Sequence, residues 1–383
     1  MNVITSDFET TISNSGNPFD VTNVAVCIAH KINNERSYCS FIIDNPDELV
    51  HTDLDATYVF FNAKFDLHWY RRLGQPPPKK IWCCQLAEYY LSGFTHTYPS
   101  LDEAAEKYQL GKKIDAVKLL YWDKGVNTDQ IPRDDLAEYA CKDVELTYKV
   151  YLAQLEQFQK NPKLFTSFKI ALEDLLVLEE MEWNGIVYDP TICEQRAVEL
   201  EEELRDINNE LASFYPTVPI NFNSGPQLSA FLYGGTIKEE LKEHIGFYKT
   251  GKKAGQPKYT TVIKEHQLPQ LVKPLPKSEM AAEGVYSTSE DTLRKLKGSV
   301  ARKIVPLLLK YAEKEKLVST YYRGIPALCE KMNWQNNTIH GQFNQVVTKT
   351  SRLSSSKPNL QNFAGDCQDI FVTRMDKNES TTS

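Results

Sequence analysis

The 383-residue chain has no run approaching the 18 or so uninterrupted apolar residues that a membrane span needs, and its N-terminus shows no basic-then-apolar leader. No membrane partner is expected, and the expected setting is cytoplasmic. The eight cysteines include the adjacent Cys83-Cys84 but no C-x-x-C spacing and no Cys/His cluster of zinc type. A disulfide framework and a structural zinc site are therefore not expected, and the thiols read as small buried hydrophobes. There is no internal repeat and no excess of positive charge, the formal net charge being −7. That sum argues at first sight against a nucleic-acid partner, but the distribution of charge decides more than its total. Acid collects on helical surface such as Glu201-Glu202-Glu203, whereas the stretch from Lys249 to Lys277 holds seven lysines and one acid, Glu265. Gly251, Gly255, Pro257, Pro269, Pro274 and Pro276 make this stretch read as loop and short strand. It is either a solvated linker or a flexible arm for phosphates.

What the chain does have is three acidic signatures in order: Asp7-Phe8-Glu9, Asn62-Ala63-Lys64-Phe65-Asp66 and Tyr139-Ala140-Cys141-Lys142-Asp143. Together they offer four carboxylates and a phenol. Phosphodiester hydrolysis is served by two divalent cations about 3.5–4 Å apart, and hard cations such as Mg2+ or Mn2+ take carboxylate oxygens. Val3 and Ile4 lead into the first signature as a buried strand would, and alternation puts positions 7 and 9 on one face. The apolar residues from Pro132 to Gln159 recur at helical spacing, so Tyr139 and Asp143, four apart, share a helix face. Asp66 follows the apolar run Tyr58-Val59-Phe60-Phe61 and is expected just past a strand end. Each pattern alone is ordinary surface; the ordered set points to a metal-dependent nuclease.

Strands are expected at Val3–Thr10, Thr22–His30, Arg36–Ile43 and Thr57–Phe61. A capping box, Ser100-Leu101-Asp102-Glu103, opens a helix over Leu101–Leu110 that Gly111 closes. The expected fold is α/β to about Gln159. Long amphipathic helices follow at Phe165–Asn184, Pro190–Phe214 and Arg302–Met332.

The trio of signatures resembles the exonuclease motifs of the DEDD superfamily, in the branch whose third motif carries Tyr, as in the proofreading domains of family A DNA polymerases. The resemblance implies a mixed sheet of ribonuclease H type over residues 1–160, with Asp7, Glu9, Asp66 and Asp143 as metal ligands for two ions. Tyr139 would position or deprotonate the attacking water, Asn62 would help hold the substrate strand, and Thr10 would lie beside the 3′ terminus. Phe65 would pack inward or serve as a platform for unpaired bases. Cys83-Cys84-Gln85-Leu86 departs from the Asp-Thr-containing sequence usual after the second motif, so a supporting contact near the site is expected to differ.

Three further landmarks resemble, in order, the thumb of family A polymerases: Met181 to Ile186, Tyr286 to Asp291, and Ser319-Thr320-Tyr321. They imply a mainly helical thumb over 161–333 with a basic loop insertion at 249–277. Thr348 to Asn362, reading TKTSRLSSSKPNLQN, resembles the segment joining thumb to palm, and implies that residues 334–383 begin a palm that ends in a polar tail. Arg352, Asn359, Gln361 and Asn362 would then contact primer-template. Ser351 stands where the family usually has Gly. The palm and fingers motifs of the polymerising site are absent from these residues, so the chain alone is not expected to extend a primer. The overall flavour is that of bacteriophage polymerases. The expected function is the 3′–5′ exonuclease and primer-template-binding portion of a split polymerase, completed by a separate palm-and-fingers chain. The alternatives are a DNA-binding or assembly subunit with a vestigial nuclease, a free-standing exonuclease, or a truncated product.

Overall fold

A computed structural model describes residues 2–45, 53, 55–111, 116–251, 253–363 and 365–372. Lys252 of the basic stretch, Thr373 and the polar tail 376–383 lie outside the described residues.

The first strand, β1 (Val3–Thr10), falls where the alternation places it and runs through the middle of a five-stranded sheet. It pairs antiparallel with β2 (Ala25–Ile32), which pairs with β3 (Tyr38–Ser40), and parallel with β4 (Thr57–Phe60). Helix α1 (Ala63–Arg72) returns the chain to β5 (Ile81–Cys83), parallel to β4, and α2 (Cys84–Leu91) follows without a break. The order β3-β2-β1-β4-β5 is the mixed sheet expected. The strand expected at Arg36–Ile43 shortens to three residues, and β5 carries no periodicity long enough to announce it. Cys83 and Cys84 sit buried at the junction of β5 and α2.

Helix α3 (Leu101–Lys107) opens with both halves of the Ser100/Glu103 capping box in place. Its end is turned by Gln109, at φ 57°, ahead of Gly111. After α4 (Ala116–Leu120) comes α5 (Arg133–Gln159), with Pro132 at its N-cap rather than in its first turn. The next helix, α6 (Pro162–Asn184), stops at Gly185, whose φ of 59° suits glycine. Phe168, Ala171, Leu172 and Leu175 of α6 enter the same core as Trp69, Tyr89 and Trp82. Helix α6 therefore packs with the sheet, although the sequence groups it with the helices that follow. The short strand β6 (Ile186–Val187) completes this part.

Residues 191–324 form a second compact unit. Helices α7 (Pro190–Ala212) and α8 (Gly225–Tyr233) lead to a two-stranded antiparallel ribbon, β7 (Gly235–Phe247) with β8 (Pro257–Leu268). The basic stretch thus combines loop with strand as expected, but its strand is 12 residues rather than short; its Tyr, Thr, Val and Ile residues carry strand propensity that the flanking Gly and Pro mask. Then come α9 (Glu290–Leu293) and α10 (Ser299–Lys316). The single helix expected over Arg302–Met332 is interrupted by a π-helical turn at Leu317–Tyr322, and α11 (Gly324–Lys331) restarts after it. A Cβ on Gly324 would meet the Ser319 carbonyl oxygen at 2.4 Å, so the break needs glycine there.

Residues from 325 onward rejoin the sheet-containing unit. They supply β9 (Thr338–Ile339) against β6, and a hairpin of β10 (Gln342–Asn344) and β11 (Ser354–Ser356). The segment Gln368–Thr373 reads in sequence as a strand with Ile370 and Val372 on one face; its described part is instead the end of a 3-10 turn, Gly365–Ile370, followed by a bridge from Phe371 to Tyr188. Ile370 is buried while Val372 is exposed, so the two do not share a face. Among the described residues no helix is long and apolar enough to cross a membrane.

His68 of α1 is buried and hydrogen-bonds through Nε2 to the Glu179 carbonyl at 3.1 Å. Burial first, with the nearby cations Lys64 and Arg71 adding, lowers its pKa from 6.5 to about 3. Below pH 6.5 the unfolded chain therefore binds a proton that the folded chain refuses, and stability falls with pH by up to about 1.4 kcal/mol per unit. Burial holds Glu179 and Glu182 above their ordinary range, which opposes this nearer pH 4.5. The thermal midpoint should drop between pH 6.5 and 5, and scanning calorimetry of His68→Gln should show a flatter dependence in that window.

Candidate active site

Because β1 alternates, Asp7 and Glu9 leave the sheet on the same side, opposite Ala29 and Cys27 of β2. Helix α5 packs across β1 and β2 and brings Asp143 to them. The carboxylate oxygens of Asp7, Glu9 and Asp143 all lie within 4.8 Å of one another, with Glu9 and Asp143 buried. Three like charges at that spacing repel strongly unless a cation or protons intervene, and an all-oxygen donor set suits a hard divalent ion.

Asp66 does not join that group. It sits just past the end of β4, as expected, in the first turn of α1, and its Oδ1 accepts the Phe8 N–H at 3.3 Å. It is held against the β1 backbone between the two strand acids. Burial first, then the charge of Asp7, pushes its carboxyl well above the ordinary range, so the two acids sense one another.

Tyr139 lies one helical turn before Asp143 and shares a hydrogen bond with it. Its ring meets Trp122 edge-on at 5.5 Å and 89°. Burial raises the phenol's pKa, and the charges of Glu9, Asp143 and Asp7 raise it further. The structure thus gathers Tyr139 with three of the four acids.

Thr10, at the end of β1, is buried, and its hydroxyl donates to the Thr11 carbonyl at 3.2 Å. Asn62 is exposed at the start of α1, where its carbonyl accepts the Phe65 N–H at 3.1 Å. Phe65 is half-buried: it packs on the core and also lines a cleft of about 260 Å³ with Asn62, Lys64, Gln342, Asn344 and Lys357. Lys64 has no assigned role in the sequence reading, yet its Nζ donates to Glu182 at 2.6 Å and to the Phe343 carbonyl. The only sequence signal for it is its place inside the second signature. Gly16 was also missed, because a glycine among Asn and Ser looks like any turn.

Arg352, Asn359, Gln361 and Asn362 are exposed on the β11 hairpin and the turn after it. The Asn359 side chain accepts the Gln361 N–H at 3.1 Å. Ser351 adopts φ 56°, the left-handed conformation that glycine favours.

Two segments match family models: residues 2–157 that of 3′-5′ exonuclease, and residues 261–379 that of DNA polymerase family A. DNA polymerase I of Synechocystis sp. is 29% identical over 313 residues, which is 79% of this chain and 26% of that protein. The thermostable DNA polymerase I of Thermus filiformis is 31% identical over 186 residues, 49% of this chain and 17% of the relative. The chain thus spans about a quarter or less of the length of these relatives. Among solved structures, the POL domain of Pol1 from M. smegmatis, in complex with DNA primer-template and dNTP, shares the fold. Its TM-score is 0.67 at 18% identity, over 97% of this chain and 55% of that one.

Gly16, at φ 69°, would place a Cβ 2.3 Å from the Thr10 hydroxyl, whereas Gly74, at φ 73°, has open space around it. Gly74→Ala should cost about 1–2 kcal/mol for the left-handed backbone alone. Gly16→Ala should cost clearly more in urea unfolding, since it also displaces Thr10. Residues 2–157 are thus similar to the 3′-5′ exonuclease family and residues 261–379 to DNA polymerase family A, so an exonuclease-like segment precedes a polymerase-like segment in one chain.

Proposed function

We propose that the chain removes nucleotides from DNA 3′ ends by metal-dependent hydrolysis, as the proofreading and primer-template-binding portion of a replicative polymerase. The observation that carries this reading is the convergence of Asp7, Glu9 and Asp143 within 4.8 Å. Asp7, Glu9, Asp66 and Asp143 would hold two Mg2+ or Mn2+ ions, Asp66 joining from its place against β1. Such ions, when bound, lower the pKa of water and neutralise charge on the leaving oxygen. Asp143 orients the Tyr139 phenol, which then orients or deprotonates the attacking water. Thr10, Asn62 and Phe65 would hold the 3′-terminal nucleotide, and unpaired ends would be preferred because their bases can be splayed.

On the duplex side, Arg352, Asn359, Gln361 and Asn362 present a guanidinium and three amides suited to groove edges and backbone oxygens. Primer extension would need palm and fingers in addition, which the sequence reading puts on a separate chain. Mixing with such a chain and assaying extension tests that part of the reading.

Asp7→Ala should abolish nucleotide release from a labelled single strand in Mg2+ while leaving circular dichroism unchanged; full activity in this variant would falsify the site. EDTA should stop the reaction and added Mg2+ restore it. Tyr139→Phe should slow release by about 10²–10⁴-fold if the phenol is the base, and by less if it only orients water.

A further inference from the structure

The ribbon β7–β8 leaves its own unit almost at once. Ile237 and Leu268 pack at its base against Ala230, but from Glu240 to Ile263 nearly every residue is exposed on both faces. Leu241 to Phe247 alone span on the order of 20 Å at about 3.3 Å per residue. A two-stranded ribbon of that length with no third element is marginal in water, so its exposed half calls for an occupant.

Its chemistry says which. Leu241 faces Val262, but the next pairs on that face are Glu239 with Lys264 and Glu243 with Thr260, so there is no continuous apolar strip for a protein partner. The charge, by contrast, is one-sided. Residues 244–264 contain five lysines and no acid, in a chain whose remaining residues sum to −12.

Rings are interleaved with these lysines. Lys253 and Lys258 lie 5.8 and 6.0 Å from the centre of the Tyr248 ring. His244 meets Phe247 and Tyr259 edge-on at 5.1 and 5.6 Å, and those two rings are 60% and 54% exposed. Backbone bonds between Tyr248 and Gln256, at 3.0 Å, and between Gly255 and Tyr248, at 2.8 Å, hold the tip in one shape.

We propose that the distal half of this ribbon is a binding arm for single-stranded DNA. Lys249, Lys253 and Lys258 contact phosphates, and Phe247 and Tyr259 stack on unpaired bases. Exposed rings beside lysines recognise a polyanion whose bases are accessible, which a duplex does not offer. The arm shares no residue with the hydrolytic site and does not depend on that site's chemistry.

The test uses the full chain in EDTA and measures fluorescence anisotropy with labelled dT20 and with a 20-base-pair duplex over a salt series. In the Lys249→Ala, Lys253→Ala, Lys258→Ala triple variant, the slope of log K against log salt for dT20 should shrink by about 2, each lost phosphate contact contributing roughly 0.7. The Phe247→Ala, Tyr259→Ala double variant should lose at least about 5-fold in dT20 affinity, and the duplex should be little affected. Phe247→Tyr with Tyr259→Phe should restore binding, which separates stacking from damage to the ribbon. An unchanged slope in the triple variant, or equal effects of the ring variants on dT20 and duplex, overturns the proposal. Failure of the nuclease assay with intact dT20 binding would count against the hydrolytic site and leave the arm standing.

Discussion

A central strand enclosed between two neighbours and crossed by a helix has to carry carboxylates, and that constraint governs the sheet-containing unit. In β1 the residues around Asp7 and Glu9 are buried, including Thr5, Ser6, Phe8 and Thr10. Charges placed there are poorly solvated, and α5 adds a third at close range. Lys64, two residues before Asp66, is committed to Glu182 and to the Phe343 carbonyl. The result is an acidic cluster whose stability rises with a bound cation, since anything that binds the folded state alone adds its binding energy to folding. A long helix is the means of building it. At 27 residues, α5 is anchored well beyond Asp143 by Val150, Tyr151 and Phe158, so packing far from the site fixes where that carboxylate stands.

A buried polar seam explains why residues after 325 belong with the sheet. Glu182 of α6 accepts both Lys64 Nζ and the Phe343 N–H at 2.6 Å, joining α1, α6 and β10 through one carboxylate. Beside it, Arg71 grips Glu179 with two bonds of 2.7 and 3.0 Å. Asp20, fully buried, gathers Ser13, Asn14, Thr22 and Asn333. Burial alone would raise its pKa, but donors from Thr22, Asn333 and Asn14 outweigh burial and hold it at about 2. Buried ion pairs of this kind add little net stability compared with apolar contacts, but a partner removed leaves an uncompensated charge. The seam therefore sets where the second signature sits relative to β10 and the hairpin that follows.

Local signals in the sequence were the ones that translated into structure. The extent of β1 follows from its alternation, the start of α3 from its capping box, the end of α6 from Gly185, and the shared face of Tyr139 and Asp143 from their spacing. What stayed hidden depends on distant partners. Three-residue β5 exists because β4 offers it a parallel edge. The ribbon exists because β7 and β8 pair across a tip whose glycines and lysines look like linker. The end of the described chain turns where a strand was expected: Cys367 and Ile370 are buried in the turn, and pairing begins only where the Ile370 carbonyl accepts the Asp189 N–H at 2.8 Å and the Val372 N–H donates to the Val187 carbonyl at 3.0 Å. Asp66 illustrates the same limit within the site: sequence named the acid, but its place in the first turn of α1, bonded to the Phe8 amide, is tertiary information.

The segment from Thr348 to Asn362 shows what a motif specifies when one of its residues departs from pattern. Ser351 stands where glycine is usual, yet the backbone keeps the left-handed turn, closed by its N–H to the Thr348 carbonyl at 2.9 Å. The Thr348 hydroxyl bonds the Arg352 carbonyl at 2.7 Å, and Ser355 Oγ accepts the Leu360 N–H at 3.1 Å. The short polar side chains are thus consumed in shaping the backbone. Arg352, Gln361 and Asn362 stand exposed on the backbone so shaped. A serine at 351 pays an energetic penalty of about 1–2 kcal/mol in a left-handed conformation. A turn that persists despite that penalty is being fixed by the surrounding hydrogen bonds, and the property they preserve is the outward presentation of the guanidinium and amides.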